Sequence, residues 1–267
     1  MTIAIPGSAV TRPGDPTAIP GDATAIAPYE EITDFADFGI RAFVTTRAAG
    51  SLAVSGDDPV GVVMSRWDAL RASLALSTDR LATARQVHGA RVITHRSGWS
   101  GWLRGNDADG HASPARGTAM GVSVADCVPV LIAHPSGATA ILHSGWKGTA
   151  ARITEVGIRT LEASGIAPRE LRLHLGPAIC GRCYEVSPDV YRQLTGHDIA
   201  HPAAVDLRAL IAEQARSCGV TDIRVSSYCT RCDNDRFYSH RAGDVGRQIA
   251  VIVAGAALRA PRGAASS

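Results

Sequence analysis

The sequence predicts an α/β (α+β) chain, a single-domain layered sandwich of mixed β-sheets flanked by helices. Three observations predict it. Short runs of Val, Ile, Leu and Ala recur between turn residues, amphipathic stretches with helical spacing alternate with them, and no linker divides the chain. A length of 267 residues suits one large domain better than two. Residues 1–28, rich in Pro, Gly, Ala and Thr and without periodicity, read as a flexible N-terminal tail. Residues 29–258 read as the single folded domain, and 259–267 as a flexible C-terminal tail.

The elements follow in order. FGIRAFVTTR (38–47) predicts the first strand. DDPVGVVMSRWDALRASLAL (57–76) predicts a helix: Asp57 or Asp58 caps it, Pro59 suits its first turn, and Val63, Trp67, Leu70 and Leu74 form one apolar stripe. ATARQVHGARVITHR (82–96) reads as strand with a kink at Gly89. Residues 118–145 read as strand, break, strand, tight turn, strand, and 147–164 as an amphipathic helix. A strand (171–176), helices over about 187–195 and 205–217, a strand (222–230) and a closing buried strand (247–256) complete the reading.

Composition narrows the function. A net charge of +2 and an aromatic content of 5% give no reason to expect nucleic acid as a partner. The best apolar run, QIAVIVAGAAL (248–258), is too short to cross a bilayer, so no membrane partner is expected. The N-terminus lacks the basic and apolar regions of a secretory signal, and the expected compartment is cytoplasmic. There, the six cysteines should be free thiols or metal ligands. Nothing in the sequence indicates an oligomeric state.

VPVLIAH and TAILH flank Pro-Ser-Gly, a hairpin signal. A turn centred on Pro135 and Ser136 places Cys127 opposite position 144, one residue from His143, and cross-strand neighbours lie ~5 Å apart. A thiol and an imidazole at a strand-end rim support a metal site, zinc or copper, or a thiolate nucleophile with its base. A small buried thiol beside a hydrogen-bonded histidine is the plain alternative. Spacing alone does not choose a third ligand among the nine histidines.

Five segments then come in one order: RQVHGARV (85–92), VADCVPVLI (124–132), HSGWKGTA (143–150), LGPAICGRCYEV (175–186) and SHRAGDVGRQIAVI (239–252). Together they resemble the YfiH-like family, also called laccase-domain or polyphenol-oxidase-like proteins, over roughly residues 38–256. The resemblance implies a YfiH-like sandwich and a zinc-dependent purine nucleoside phosphorylase with adenosine deaminase activity, taking a purine nucleoside and phosphate as small-molecule partners. It also implies one metal held by His88, Cys127 and His143. Two of these are the residues that the hairpin brings together; the resemblance supplies His88. The chain departs from the family pattern after Arg47, at His240 (usually Tyr) and at Ala242 (commonly Arg), positions that bear on substrate preference and phosphate contacts.

Three protein ligands leave a fourth tetrahedral position open, the pattern of a catalytic zinc. Phosphorolysis also needs cations or backbone amides for phosphate. Arg47, Lys147 and Arg247 are the candidates, each also readable as a solvated charge. Lys147 stands out because its Gly-flanked turn lets the backbone come close. Asp126, beside Cys127, is a candidate proton shuttle or anchor, or a turn residue. CGRC (180–183) and CTRC (229–232) have the spacing of a four-thiolate zinc site, so Cys180, Cys183, Cys229 and Cys232 form a candidate second metal site. Residues 184–228 separate the pairs, more than in a common zinc knuckle, and cysteines in both elements are familiar in the family.

Three other functions fit the same residues. A cysteine amidase or hydrolase would use Cys127 as nucleophile and His143 as base. Copper-dependent phenol oxidation would need several coupled metals, for which one His-Cys-His set is thin. A non-enzymatic partner protein of envelope upkeep would keep the fold and lose only binding on Cys127→Ala.

Overall fold

In the computed structural model, which describes residues 28–54 and 56–255, the last strand shows how the layers are built. Along Gln248–Ala254, Ile249, Val251 and Val253 point into one apolar cluster and Ala250, Ile252 and Ala254 into another. Side chains alternate faces along a strand, so a strand apolar at every position is buried on both sides.

The chain runs β1 (Tyr29–Ile32), β2 (Ile40–Thr45), α1 (Val60–Leu74), β3 (Arg80–Ala84), β4 (Val92–Thr94), β5 (Gly101–Gly105), β6 (Gly110–Ser113) and β7 (Thr118–Val124). Next come β8 (Val128–Ala133), β9 (Thr139–Ser144), α2 (Trp146–Ala150), α3 (Ile153–Glu162) and β10 (Arg172–Leu175). The order ends with β11 (Glu185–Val186), α4 (Pro188–Thr195), β12 (Ala203–Ala204), α5 (Leu207–Ser217), β13 (Asp222–Val225) and β14 (Gln248–Ala254). Among the described residues, one mixed six-stranded sheet has the order β1-β2-β14-β7-β3-β5 and the other β13-β10-β8-β9-β6-β4.

Three apolar clusters hold four layers together. Val63, Trp67, Leu70 and Leu74, the stripe expected on α1, pack on Phe43, Leu81 and Val251 of the first sheet. Val44, Met120 and Ile252 meet Leu131 and Ile141 between the sheets. Ile153, Ile158, Leu161 and Ile211 of α3 and α5 cover the outer face of the second sheet at Val130 and Leu142. The expected layered sandwich is therefore observed. The two expected tails lie largely outside the described residues, and no helix among the described residues is long and apolar enough to cross a membrane.

Several local expectations are corrected. Neither Asp57 nor Asp58 caps α1; its N-cap is Pro59, and Asp58 instead pairs with Arg66. The strand expected over 82–96 is two strands separated by residues 85–91, because the N–H groups of Val87, His88 and Gly89 all donate to the Asp109 carboxylate. The helix expected over 147–164 breaks at Arg152, which takes a left-handed conformation. The strand expected over 222–230 stops at Val225. Residues 97–117, to which the sequence assigned no element, supply β5 and β6.

The hairpin register differs by one residue. Val128 faces Ser144 and Pro129 faces His143. Gly137, with φ of 94°, accommodates the extra residue of the turn, and its N–H bonds the carbonyl of His134. Cys127 thus lies just beyond the last strand pair, level with Gly145.

Candidate metal centre

Two turns and a strand end build the site. His88 sits in the 85–91 loop with a positive φ of 60°, and Asp126, next to Cys127, has one of 80°. Neither is glycine, so both conformations need support from their surroundings. His88 receives it from Asp109, whose Oδ1 accepts the His88 N–H at 2.9 Å and whose Oδ2 accepts those of Gly89 at 2.7 Å and Val87 at 3.1 Å. Gln86 fastens the same loop to β7: its side chain donates to the carbonyl of Ser123 and accepts the Ser123 N–H. The Asp126 carboxylate accepts from the Thr230 hydroxyl and from the N–H of Arg241, each at 2.6 Å. These bonds tie the turn that carries Cys127 to Thr230 and Arg241.

These devices bring His88, Cys127 and His143 together, with one ligand atom of each within 4.8 Å of the others. His88 is exposed, Cys127 half-buried and His143 buried. The His88 and His143 rings meet edge to face, their centroids 4.8 Å apart. Behind His143, its Nδ1 lies 2.9 Å from Oδ1 of the fully buried Asp109. An ionised carboxylate only accepts, so Nδ1 carries the proton and Nε2 is left to face Cys127.

The electrostatics agree. Burial raises the Cys127 thiol, but the charge and hydrogen bond of His143, then those of His88, outweigh it and bring the thiol down to about 6. Burial disfavours a charged His143, but Cys127 and Asp109 hold its pKa up at about 9. Burial likewise raises Asp109, and the His143 hydrogen bond and the Gly89 and Val87 amides pull it below the ordinary carboxylate value. Both shifts favour the charged forms, a thiolate on Cys127 and a proton on His143. Two imidazoles and a thiolate form a donor set suited to zinc, with room for a fourth ligand.

Gly145 makes the close approach possible. A Cβ on it would lie 2.6 Å from the Cys127 sulfur and 3.4 Å from His88 Cδ2. The site opens on a cleft of about 430 Å³ whose wall includes Arg85, Arg104, Ser123, His240 and Arg247.

The three expected phosphate cations do not gather there. Arg247 lines the cleft, although its guanidinium also donates to the carbonyls of Asp244, Val245 and Gly246. Arg47 is turned away, bonded to the carbonyls of Asn234 and Phe237 and paired with Asp244 at 2.6 Å. Lys147 is exposed over the Trp146 ring and is not part of the cleft wall. Sequence reasoning missed Asp109, Gln86, Arg85 and Arg104. Gln86 and Arg85 stand inside RQVHGARV; Asp109, in the unread Asp-Ala-Asp-Gly stretch, carried no signal of its own.

Cys180, Cys183, Cys229 and Cys232 also converge, their sulfurs all within 4.8 Å of one another. These two groups are the ones among the described residues where three or more potential ligands meet.

The chain is similar in sequence and fold to known proteins. A family described as multi-copper polyphenol oxidoreductase laccase matches residues 43–255. A purine nucleoside phosphorylase of Streptomyces griseus is 33% identical over 203 residues, covering 72% of this chain and 81% of the relative. A protein named adenosine deaminase RL5, from an unknown prokaryote, is 31% identical over 245 residues, covering 79% and 92%. Among solved structures, YfiH of Bacillus licheniformis superposes with a TM-score of 0.76 at 22% identity, over 88% of this chain and 99% of that one. YlmD of Geobacillus stearothermophilus gives 0.74 at 27%, over 81% and 93%. The fold, the order of the motifs and these matches show that the chain belongs to the YfiH-like laccase-domain family, among whose members it is similar to proteins named purine nucleoside phosphorylase.

Proposed function

We propose that the chain is a zinc-dependent purine nucleoside phosphorylase that also deaminates adenosine. The observation that carries this reading is the His88, Cys127 and His143 donor set, oriented by Asp109, at the wall of a cleft rich in arginine. The names of the relatives point to the same chemistry. Substrates would be adenosine, inosine or guanosine with phosphate, and methylthioadenosine by the same reaction. A zinc ion held there supplies Lewis-acid polarisation of an oxygen presented to it.

In phosphorolysis the C1′–N9 bond breaks, a C1′–O bond to phosphate forms, and the purine leaves with a proton. Arg104, which makes no ion pair among the described residues, and Arg247 supply charge for phosphate on the cleft wall. His240, on the same wall, would exchange a proton with the purine and influence which base is accepted. Asp126 fixes the Cys127 turn. Lys147 and Arg47 would act on phosphate only after leaving their present partners. The six free thiols suit a reducing, cytoplasmic setting.

One observation favours a second reading. Cys127, His143 and Asp109 stand in the order of a nucleophile, a base and the group that orients it. A cysteine hydrolase would survive chelation and die on alkylation.

Product chromatography separates the two. The purified protein is incubated with adenosine and phosphate, beside Cys127→Ala. Adenine with ribose-1-phosphate, or inosine, formed by the wild type alone and abolished by chelation supports the nucleoside enzyme. Absence of product from zinc-loaded protein overturns it.

A further inference from the structure

Outside the first site, the two Cys-x-x-Cys motifs meet on the surface beside it. We propose that Cys180, Cys183, Cys229 and Cys232 bind a second metal ion, a structural zinc that staples the loop after β10 to the loop after β13. The proposal does not depend on what the first site does.

The sulfur geometry fits. A zinc with four sulfurs at ~2.3 Å sets them ~3.8 Å apart. The four sulfurs lie within 4.8 Å of one another, and those of Cys183 and Cys232 are 3.5 Å apart. Two of the donors come from each motif, and four thiolates close the tetrahedron, leaving no position for substrate.

One of these sulfurs, that of Cys229, is an acceptor for the backbone. The Cys229 sulfur receives the N–H of Cys180 at 3.2 Å and that of Cys232 at 3.5 Å. A neutral thiol is a weak acceptor, and a thiolate takes two such donors readily. Each motif also carries an arginine just before its second cysteine, Arg182 and Arg231, and Arg231 donates to the Cys183 carbonyl. A zinc with four thiolates has a net charge of −2, and the Arg231 guanidinium at the Cys183 carbonyl is a cation beside it.

A staple here would add to sparse direct ties between the loops. Apart from the single bridge between Ala178 and Cys229 and the Thr230 N–H to the Ala178 carbonyl, few backbone bonds join them. Yet they carry much of the support for the first site. Thr230, inside CTRC, and Arg241 hold Asp126, and the Ile179 N–H donates to the Asp126 carbonyl. Arg241 lies over the Tyr184 ring, next to Cys183, and donates to the Glu185 carbonyl. His240 reaches the cleft from the same loop.

Metal content and cobalt spectroscopy on the full chain test the proposal. His88→Ala/Cys127→Ser/His143→Ala removes the first site and leaves the four thiols intact, so the reading does not require a cluster variant to fold. With native circular dichroism, this protein should retain about one equivalent of zinc after reducing purification. Exchanged to Co²⁺, it should show strong thiolate-to-cobalt charge transfer and the intense visible bands of tetrahedral coordination. Cys183→Ser/Cys232→Ser should lower the wild-type stoichiometry by about one equivalent. The proposal is overturned if the first-site variant folds without metal, if its intact mass shows a disulfide in place of the ion, or if the ion it carries is iron.

Discussion

Nδ1 of His143 lies 2.9 Å from Oδ1 of Asp109, and the backbone N–H of His143 donates to the carbonyl of the same Asp109 at 2.7 Å. One buried residue thus fixes both the position and the ring orientation of one ligand, while its carboxylate also gathers the amides of the loop that carries another. Asp109→Asn keeps the size but loses the charge and part of the accepting capacity. Zinc affinity at the first site should fall ~10–100-fold, read by competition with a fluorescent chelator. Unchanged affinity would show that the pairing is structural only.

The thiol at the centre has its own pH signature. Because the Cys127 pKa is lowered to about 6, its thiolate persists as pH falls until about 6 and is lost below it. An ordinary thiol, with a pKa of ~8.5, already loses reactivity tenfold per unit below that value. Iodoacetamide labelling of chelator-treated protein, followed at Cys127 by peptide mass spectrometry, should stay near its plateau from pH 9 to about 6. Added zinc should block it. A rate that falls steadily from pH 8.5 would contradict the thiolate–imidazolium pair.

Space at Gly145 is as critical as the ligands. Its φ of −81° is open to any residue, so only the missing side chain matters. Gly145→Ala puts a methyl group 2.6 Å from the Cys127 sulfur. The variant should fold and lose first-site zinc at least tenfold in affinity, by the same order as removal of an orienting partner. Zinc bound with wild-type affinity would mean that the turn yields more easily than its packing implies.

The arginines divide by their partners. Arg104→Gln and Arg247→Gln should each raise the KM for phosphate several-fold with the fold intact. Arg47→Ala should act on stability. Burial raises Asp244, but Arg47, the Ser239 N–H and Asn234 outweigh it and hold the carboxyl at about 2. A depressed carboxylate stabilises the fold above its unfolded value near 3.8 and loses that contribution as pH falls towards 2. Arg47→Ala should therefore lower the Tm at pH 7 by more than at pH 2.5. A phosphate KM that rises in Arg47→Ala at unchanged Tm would return Arg47 to the substrate.

The sequence by itself determined the layers and most of the elements. Runs such as QIAVIVA report burial on both faces because a strand has only two, and the Val63, Trp67, Leu70 and Leu74 stripe reports one face because a helix turns every 3.6 residues. The Pro-Ser-Gly hairpin brought Cys127 and His143 to one rim, and the ordered motifs added His88. Tertiary structure decided what local pattern does not encode. The one-residue shift in hairpin register follows from Gly137 in the turn, which composition does not announce. The 82–96 strand broke because three of its amides found a carboxylate from a distant loop. Asp109 itself was invisible, since its role arises from the pairing of β6 with β9, which sets it against His143. Which arginine faces the cleft was likewise settled by partners far along the chain: Asp244 claims Arg47 across nearly the whole domain. Spacing reports neighbours along the chain, whereas charges and hydrogen-bond donors find partners across it, and only the packed fold shows which.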